Sequence, residues 1–146
     1  MTQPRRSLGV LLVVVFASGV LGCGASTPTA PSPSLTGTWS GPMTGDASGT
    51  GTARLQLVQT GSGVSGTFTT TMPDPKRSRS GSVGGTALGS TLTITLMPTV
   101  PELCVSTTLS GTLTATLTVA ADRVAGSYSG FTCGGAVGGM MDLQRE

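Results

Sequence analysis

The sequence predicts an all-β protein, an antiparallel up-and-down β-barrel of about eight strands, and three observations carry that prediction. The first is alternation. Gly51–Phe68 reads GTARLQLVQTGSGVSGTF, with Ala53, Leu55 and Leu57 on one parity and Thr52, Arg54 and Gln56 on the other. A turn at Thr60–Gly63 follows, and then Val64, Gly66 and Phe68 alternate against Ser65 and Thr67. That is a β-hairpin with one buried face. The second is recurrence. Gly111–Tyr128 repeats the pattern without a gap: Gly111, Thr112, Leu117, Val124, Gly126 and Tyr128 stand where Gly51, Thr52, Leu57, Val64, Gly66 and Phe68 stood. The third is texture. Thr, Ser and Gly dominate, no segment carries a helical period, and turn residues return about every eight to twelve residues, as in barrels and sandwiches.

Taken in order, the chain opens with an address. Arg5 and Arg6 precede the apolar run Leu8–Leu21, and Val20-Leu21-Gly22-Cys23 ends it. The run falls short of the ~20 apolar residues of a membrane span and fits the apolar region of a secretory signal over residues 1–22. Its last four residues resemble the bacterial lipobox. The resemblance implies cleavage before Cys23 and lipidation there, with a palmitate-type anchor that ties the protein to a membrane. The alternative is an ordinary secretory signal followed by an incidental Cys. Gly24 in place of an Asp leans the sorting toward the outer membrane. Ala25–Ser34, ASTPTAPSPS, has no large apolar residue and cannot join a core. With Cys23 it makes a tether over residues 23–34 that is expected to stay disordered and to hold the domain away from the lipid.

The barrel domain is expected over residues 35–146. Leu35, Gly37, Trp39 and Met43 share a face of the first strand. Asp46–Gly49 is a turn, and Thr50–Met72 forms the first hairpin. Pro73–Ser80 interrupts the pattern as a charged loop. Val83, Gly85 and Ala87 form a thin strand, and Gly89-Ser90 is a two-residue turn of the II′ kind. Thr91–Met97 is the clearest strand, with Leu92, Ile94 and Leu96 on one side. The inward parity flips from odd to even across Gly89-Ser90, as a two-residue hairpin requires. After Pro98 and Pro101, the residues Leu103, Val105, Leu109, Leu113, Ala115, Leu117 and Val119 hold one parity. Glu102–Val119 therefore reads as one long strand kinked or bulged at Gly111; a longer turn there, giving one more strand, is the alternative. The second hairpin ends near Phe131, Gly134-Gly135 turns the chain, and Val137, Met141 and Leu143 mark the last strand. An eight-stranded barrel holds either its own side chains or one small ligand, and Leu, Val, Ala and Gly with few aromatics favour a narrow, filled interior.

Gly37-Thr38-Trp39 resembles the G-x-W signature that opens the first strand of lipocalins and avidin-like proteins. Both are eight-stranded up-and-down barrels that bind small molecules, and the Thr-rich, glycine-studded strands are similar in texture. In lipocalins the Trp packs across the closed end of the barrel beneath a basic side chain from the last strand. The resemblance gives those places to Trp39 and Arg145. It does not extend to biotin binding: Ser40-Gly41-Pro42 follow the signature, and Trp39 is the only Trp. The C-terminal helix of many lipocalins has no counterpart.

Composition removes whole classes of activity. The chain has no His, which takes away the usual general base and metal ligand. Once Arg5 and Arg6 leave with the signal, six basic and six acidic side chains remain, so nothing points to nucleic acid. The carboxylates lie in turns, loops or outward positions, and no metal-spaced cluster exists. No enzyme, metal or cofactor is expected. Of the three Cys, Cys104 and Cys133 remain once Cys23 is lipidated. An exported chain would join them in a disulfide, expected at a loop or outer edge; the alternatives are free thiols or pairing with other chains. Lys76, Arg77 and Arg79 concentrate positive charge, suited to an anion or acidic partner, although a charge-solubilised loop accounts for them as well. Two roles are expected for an envelope protein of this kind. One is the binding of a small apolar or amphipathic molecule. The other is a structural or protein-interaction role with a filled barrel and no ligand.

Overall fold

The computed structural model describes residues 33–45, 49–100, 102–103, 108–109, 111–133 and 135–146. Its strands are β1 (Gly37–Gly45), β2 (Gly49–Thr60), β3 (Gly63–Thr71), β4 (Arg79–Leu88), β5 (Thr91–Pro98), β6 (Glu102–Leu103), β7 (Thr108–Leu109), β8 (Leu113–Ala120), β9 (Arg123–Thr132) and β10 (Gly135–Arg145). Eight of them close into a barrel in the order β1-β10-β9-β8-β5-β4-β3-β2, while β6 and β7 pair only with each other. Every neighbouring pair is antiparallel. Closure removes the open edges that a sheet rich in Thr and Val would otherwise present to other chains.

The alternation of the sequence is the inside–outside alternation of the barrel. Ala53, Leu55 and Leu57 of β2, Leu92, Ile94 and Leu96 of β5, and Ala115, Leu117 and Val119 of β8 are buried, and the residues between them face out. The two hairpins that repeat in the sequence also repeat in register. Leu57 stands opposite Gly66, and Leu117 stands opposite Gly126. A Cβ added at Gly66 would lie 1.8 Å from the carbonyl oxygen of Gln56, and one at Gly126 would lie 2.2 Å from that of Thr116. No side chain fits there. The inward glycines let adjacent strands approach and coil tightly on the concave side, which narrows the interior to what Leu, Val and aromatic side chains fill.

One expectation is corrected. Glu102–Val119 is not a single kinked strand: β6 and β7 form a separate two-stranded sheet, and β8 starts only at Leu113. Gly111 sits at φ +62°, a left-handed turn conformation rather than a strand kink. Parity could not reveal this, because an excursion that consumes an even number of residues returns the chain to the same face. The turn at Gly89 is formed as read, with φ +58° and Ala87 facing Leu92 across it. The second hairpin turns at Ala121-Asp122, where Ala121 takes φ +45° without being glycine.

Candidate functional site

The barrel has two unlike ends. At one, three hairpins turn in two residues each, at Gly61-Ser62, Gly89-Ser90 and Ala121-Asp122, and the first and last strands begin and finish. At the other lie the connections between β1 and β2, β3 and β4, β5 and β8, and β9 and β10.

The tight-turn end is sealed by side chains from three distant stretches. Leu35 is buried, and its N–H donates to Gln59 Oε1 at 2.9 Å. The indole of Trp39 is fully buried, and its Nε1–H donates to the carbonyl of Leu35 at 2.8 Å. Trp39 and Arg145 are register partners across the β1–β10 seam, and the guanidinium carbon lies 4.4 Å from the ring centroid. Arg145 also donates to the carbonyls of Thr36, at 2.7 Å, and of Ser34. The same arginine explains the glycine of the G-x-W opening: Gly37 adopts φ +140°, and a Cβ there would sit 3.0 Å from Arg145 Nη1. An aromatic face under a cation contributes about 0.5–1 kcal/mol at an exposed site. The larger part of the seal is the burial of the indole itself.

Two forked ion pairs flank this end. Arg54 meets Glu146 through Nε–Oε1 at 3.1 Å and Nη2–Oε2 at 2.7 Å, and Arg123 meets Asp142 through Nε–Oδ1 at 2.7 Å and Nη2–Oδ2 at 2.6 Å. Hydrogen bonding to the guanidinium holds the carboxyls of Asp142 and Glu146 below their ordinary range and raises Arg54 and Arg123. The pairs tie β10 and its C-terminal end to β9 and β2. The sequence marks these carboxylates only as outward or terminal, because partners 92 and 19 residues away leave no local signal.

The opposite end, wide in the sense that it holds the long β3–β4 and β5–β8 connections, carries the Lys76–Arg79 loop. Asp74 caps a single 3-10 turn, Pro75–Arg77, by accepting from the N–H of Lys76 at 3.0 Å. Arg77 Nε lies 3.7 Å from Asp74 Oδ2, and the Arg79 guanidinium donates to the carbonyls of Lys76 and Ser78. Ser78 Oγ accepts from Met72 N–H, and Thr70 Oγ1 accepts from Arg79 N–H, each at 3.0 Å. Two of the three cations are therefore engaged in the fold of the loop, with Lys76 exposed beside them.

Inside the wide end the core changes composition. Met43, Met72, Tyr128 and Met141 are buried there beside Leu96 and Thr70. Tyr128 reaches across Gly139 and donates its hydroxyl to the carbonyl of Thr44 at 3.0 Å. Among the described residues no buried side-chain nitrogen or oxygen is without a hydrogen-bond partner, and no three His, Cys, Asp or Glu side chains gather as a metal group. Among the same residues no helix is long and apolar enough to cross a membrane. Cys133 is exposed just after β9. The expected partner Cys104, the lipidation residue Cys23 and most of the tether lie outside the described residues.

The geometry defines a class: a small, closed, eight-stranded up-and-down barrel, compatible with a lipocalin-like fold. Comparison with protein-family models, with curated proteins and with solved structures finds no match for this chain.

Proposed function

We propose that the protein is a non-enzymatic lipoprotein of the cell envelope, anchored through Cys23 and sorted to the outer membrane, whose barrel is a filled, rigid body that acts through its outer surface. The observation that carries this reading is the packing of the axis. Leu55, Leu57, Ile94, Leu117 and Tyr128, from four strands, all bury their side chains in the space that a lipocalin-like ligand would take. Pockets for organic ligands join apolar walls to a few convergent polar atoms, and here the polar side chains of the interior satisfy one another or the backbone. The packed interior moves the balance from an internal apolar ligand to a structural or protein-interaction role. A disulfide between Cys104 and Cys133 belongs to the same proposal and would tie the β5–β8 connection to the β9–β10 turn.

The outer face offers an uncharged surface for such contacts. Thr91, Thr93 and Thr95 of β5 stand directly opposite Thr118, Thr116 and Thr114 of β8. The test is native mass spectrometry of the chain from Ser34 onward, purified from its own periplasm; residues 31–146 form a compact unit of their own. The expected mass is that of the protein alone, and a co-purifying organic molecule lost on denaturation defeats the filled-barrel reading. Anchoring is tested separately: radiolabelled palmitate should enter the full chain and be lost in Cys23→Ser.

A further inference from the structure

We infer that the wide end of the barrel holds a binding site for a soft monovalent metal ion, Cu(I) or its analogue Ag(I), formed by the thioethers of Met43, Met72 and Met141. The inference rests on the filled-barrel reading in one respect, that no organic molecule occupies this end.

Apart from Met1, the chain has five methionines: Met72 and Met97 lie beside the β3–β4 and β5–β8 connections, Met43 in the half of β1 away from the tight turns, and Met140 and Met141 at the middle of β10. Three of the five point inward, with relative exposures of 2% for Met43, 7% for Met72 and 1% for Met141. They are also neighbours across the barrel closure. Met43 of β1 and Met141 of β10 are direct register partners, and Met43 faces Gly51 of β2 on its other side. Gly51 has no side chain, and its place is taken by the sulfur of Met72: a Cβ built on Gly51 would lie 2.5 Å from Met72 Sδ. The inward row across three adjacent strands therefore reads Met141, Met43, then Met72 over Gly51. Tyr128, itself buried, donates to the carbonyl of Thr44, the residue after Met43.

Thioether sulfur is a neutral, polarisable donor that prefers soft d10 cations to Zn(II), Mg(II) or Ca(II). Three such donors, on β1, on β10 and just past the end of β3, can converge on one small ion through their flexible side chains. The ion needs almost no cavity, which reconciles a binding function with a packed interior. A monovalent charge is the least costly to desolvate. The chain has no His, and among the described residues no three His, Cys, Asp or Glu side chains gather to compete for a metal.

The test uses Ag(I), which needs no reductant, with methyl-13C-methionine NMR on the chain from Ser34 onward. One equivalent of Ag(I) should shift the methyl signals of Met43, Met72 and Met141 together, in slow exchange, and leave Met97 and Met140 in place. Because a thioether has no proton to lose, the affinity should be flat from about pH 5 to pH 8, unlike that of a thiol or imidazole site. Met→Leu changes conserve volume and keep cores folded, so Met43→Leu should weaken binding at least about tenfold, and the Met43→Leu, Met72→Leu, Met141→Leu triple variant should abolish it while remaining folded. The proposal is overturned if Ag(I) shifts only the exposed Met97 and Met140, if it moves no methyl, or if the triple variant binds as tightly as the parent. An organic co-purifying species in the native mass spectrum is a different failure: it removes the filled-barrel reading, while the methyl shifts still decide the ion site.

Discussion

The two ends of the barrel solve one problem in different materials. At the tight-turn end a rigid indole, a glycine at positive φ and an arginine lying over the ring interlock, and each shape depends on the others. At the wide end flexible methionines and one tyrosine are buried beside Leu96. The first arrangement specifies a unique closure, because an indole has few rotamers and one buried N–H to satisfy. The second tolerates rearrangement, because a thioether chain repacks at little cost. A barrel so built has one end held by interlocking shapes and one packed with flexible side chains.

Mutations at the two ends should separate these roles, and the largest effect is expected at Trp39. Replacing it with Ala removes the plug and leaves the Leu35 carbonyl without its donor, which should cost about 3–5 kcal/mol. Urea unfolding of the soluble domain measures it; a loss no larger than that of a methionine at the other end would erase the contrast. Next come the inward glycines. Gly66→Ala and Gly126→Ala each drive a methyl into a neighbouring carbonyl, and each should cost at least about 1–3 kcal/mol. Since both glycines face their leucines in the same way, the two losses should agree; a large difference would mean that the hairpins are equivalent in sequence but not in energetics.

Smaller effects sharpen the comparison. Met43→Leu should cost less than about 1.5 kcal/mol, as volume-conserving swaps do, and calorimetry should find the midpoint little moved. Arg145→Ala should cost about 1 kcal/mol from the ring contact, and Arg145→Lys should recover only part of it, because the forked donors to Ser34 and Thr36 are lost. The least effect is expected from pH. Asp142 and Glu146 have folded-state pKa values below their unfolded ones, so their stabilisation is present above the ordinary carboxylate range and fades as pH falls through the folded values. Both pairs are solvent-exposed, so the change is small. Melting temperatures of the parent and of Asp142→Asn, compared between neutral and acidic pH, should converge in acid.

Much of this architecture was legible in the chain, because strand alternation is local. A period of two places Leu55, Ile94 and Leu117 inside whatever the strands become, and two-residue turns at Gly61-Ser62 and Gly89-Ser90 announce themselves by their glycines. The repeat of Gly51–Phe68 at Gly111–Tyr128 marks two hairpins that share their pairing, Leu57 opposite Gly66 and Leu117 opposite Gly126. The same reasoning failed at Glu102–Leu109. There the parity survives a detour into a separate small sheet, and only the left-handed backbone of Gly111 separates a strand that continues from one that begins again.

What the tertiary structure alone decided are the meetings of residues far apart in the chain. That β10 returns to β1 and sets Trp39 against Arg145 and Met43 against Met141 follows from closure, a global condition that no window of the sequence contains. The pairing of Arg54 with Glu146 and of Arg123 with Asp142, and the filling of Gly51's place by the Met72 sulfur, depend on it in the same way. The chain by itself determined which side chains go inside and where it turns, because those are choices between neighbouring residues. Closure determined which of them touch, because contact between distant strands is set by a register that only the complete ring of strands defines.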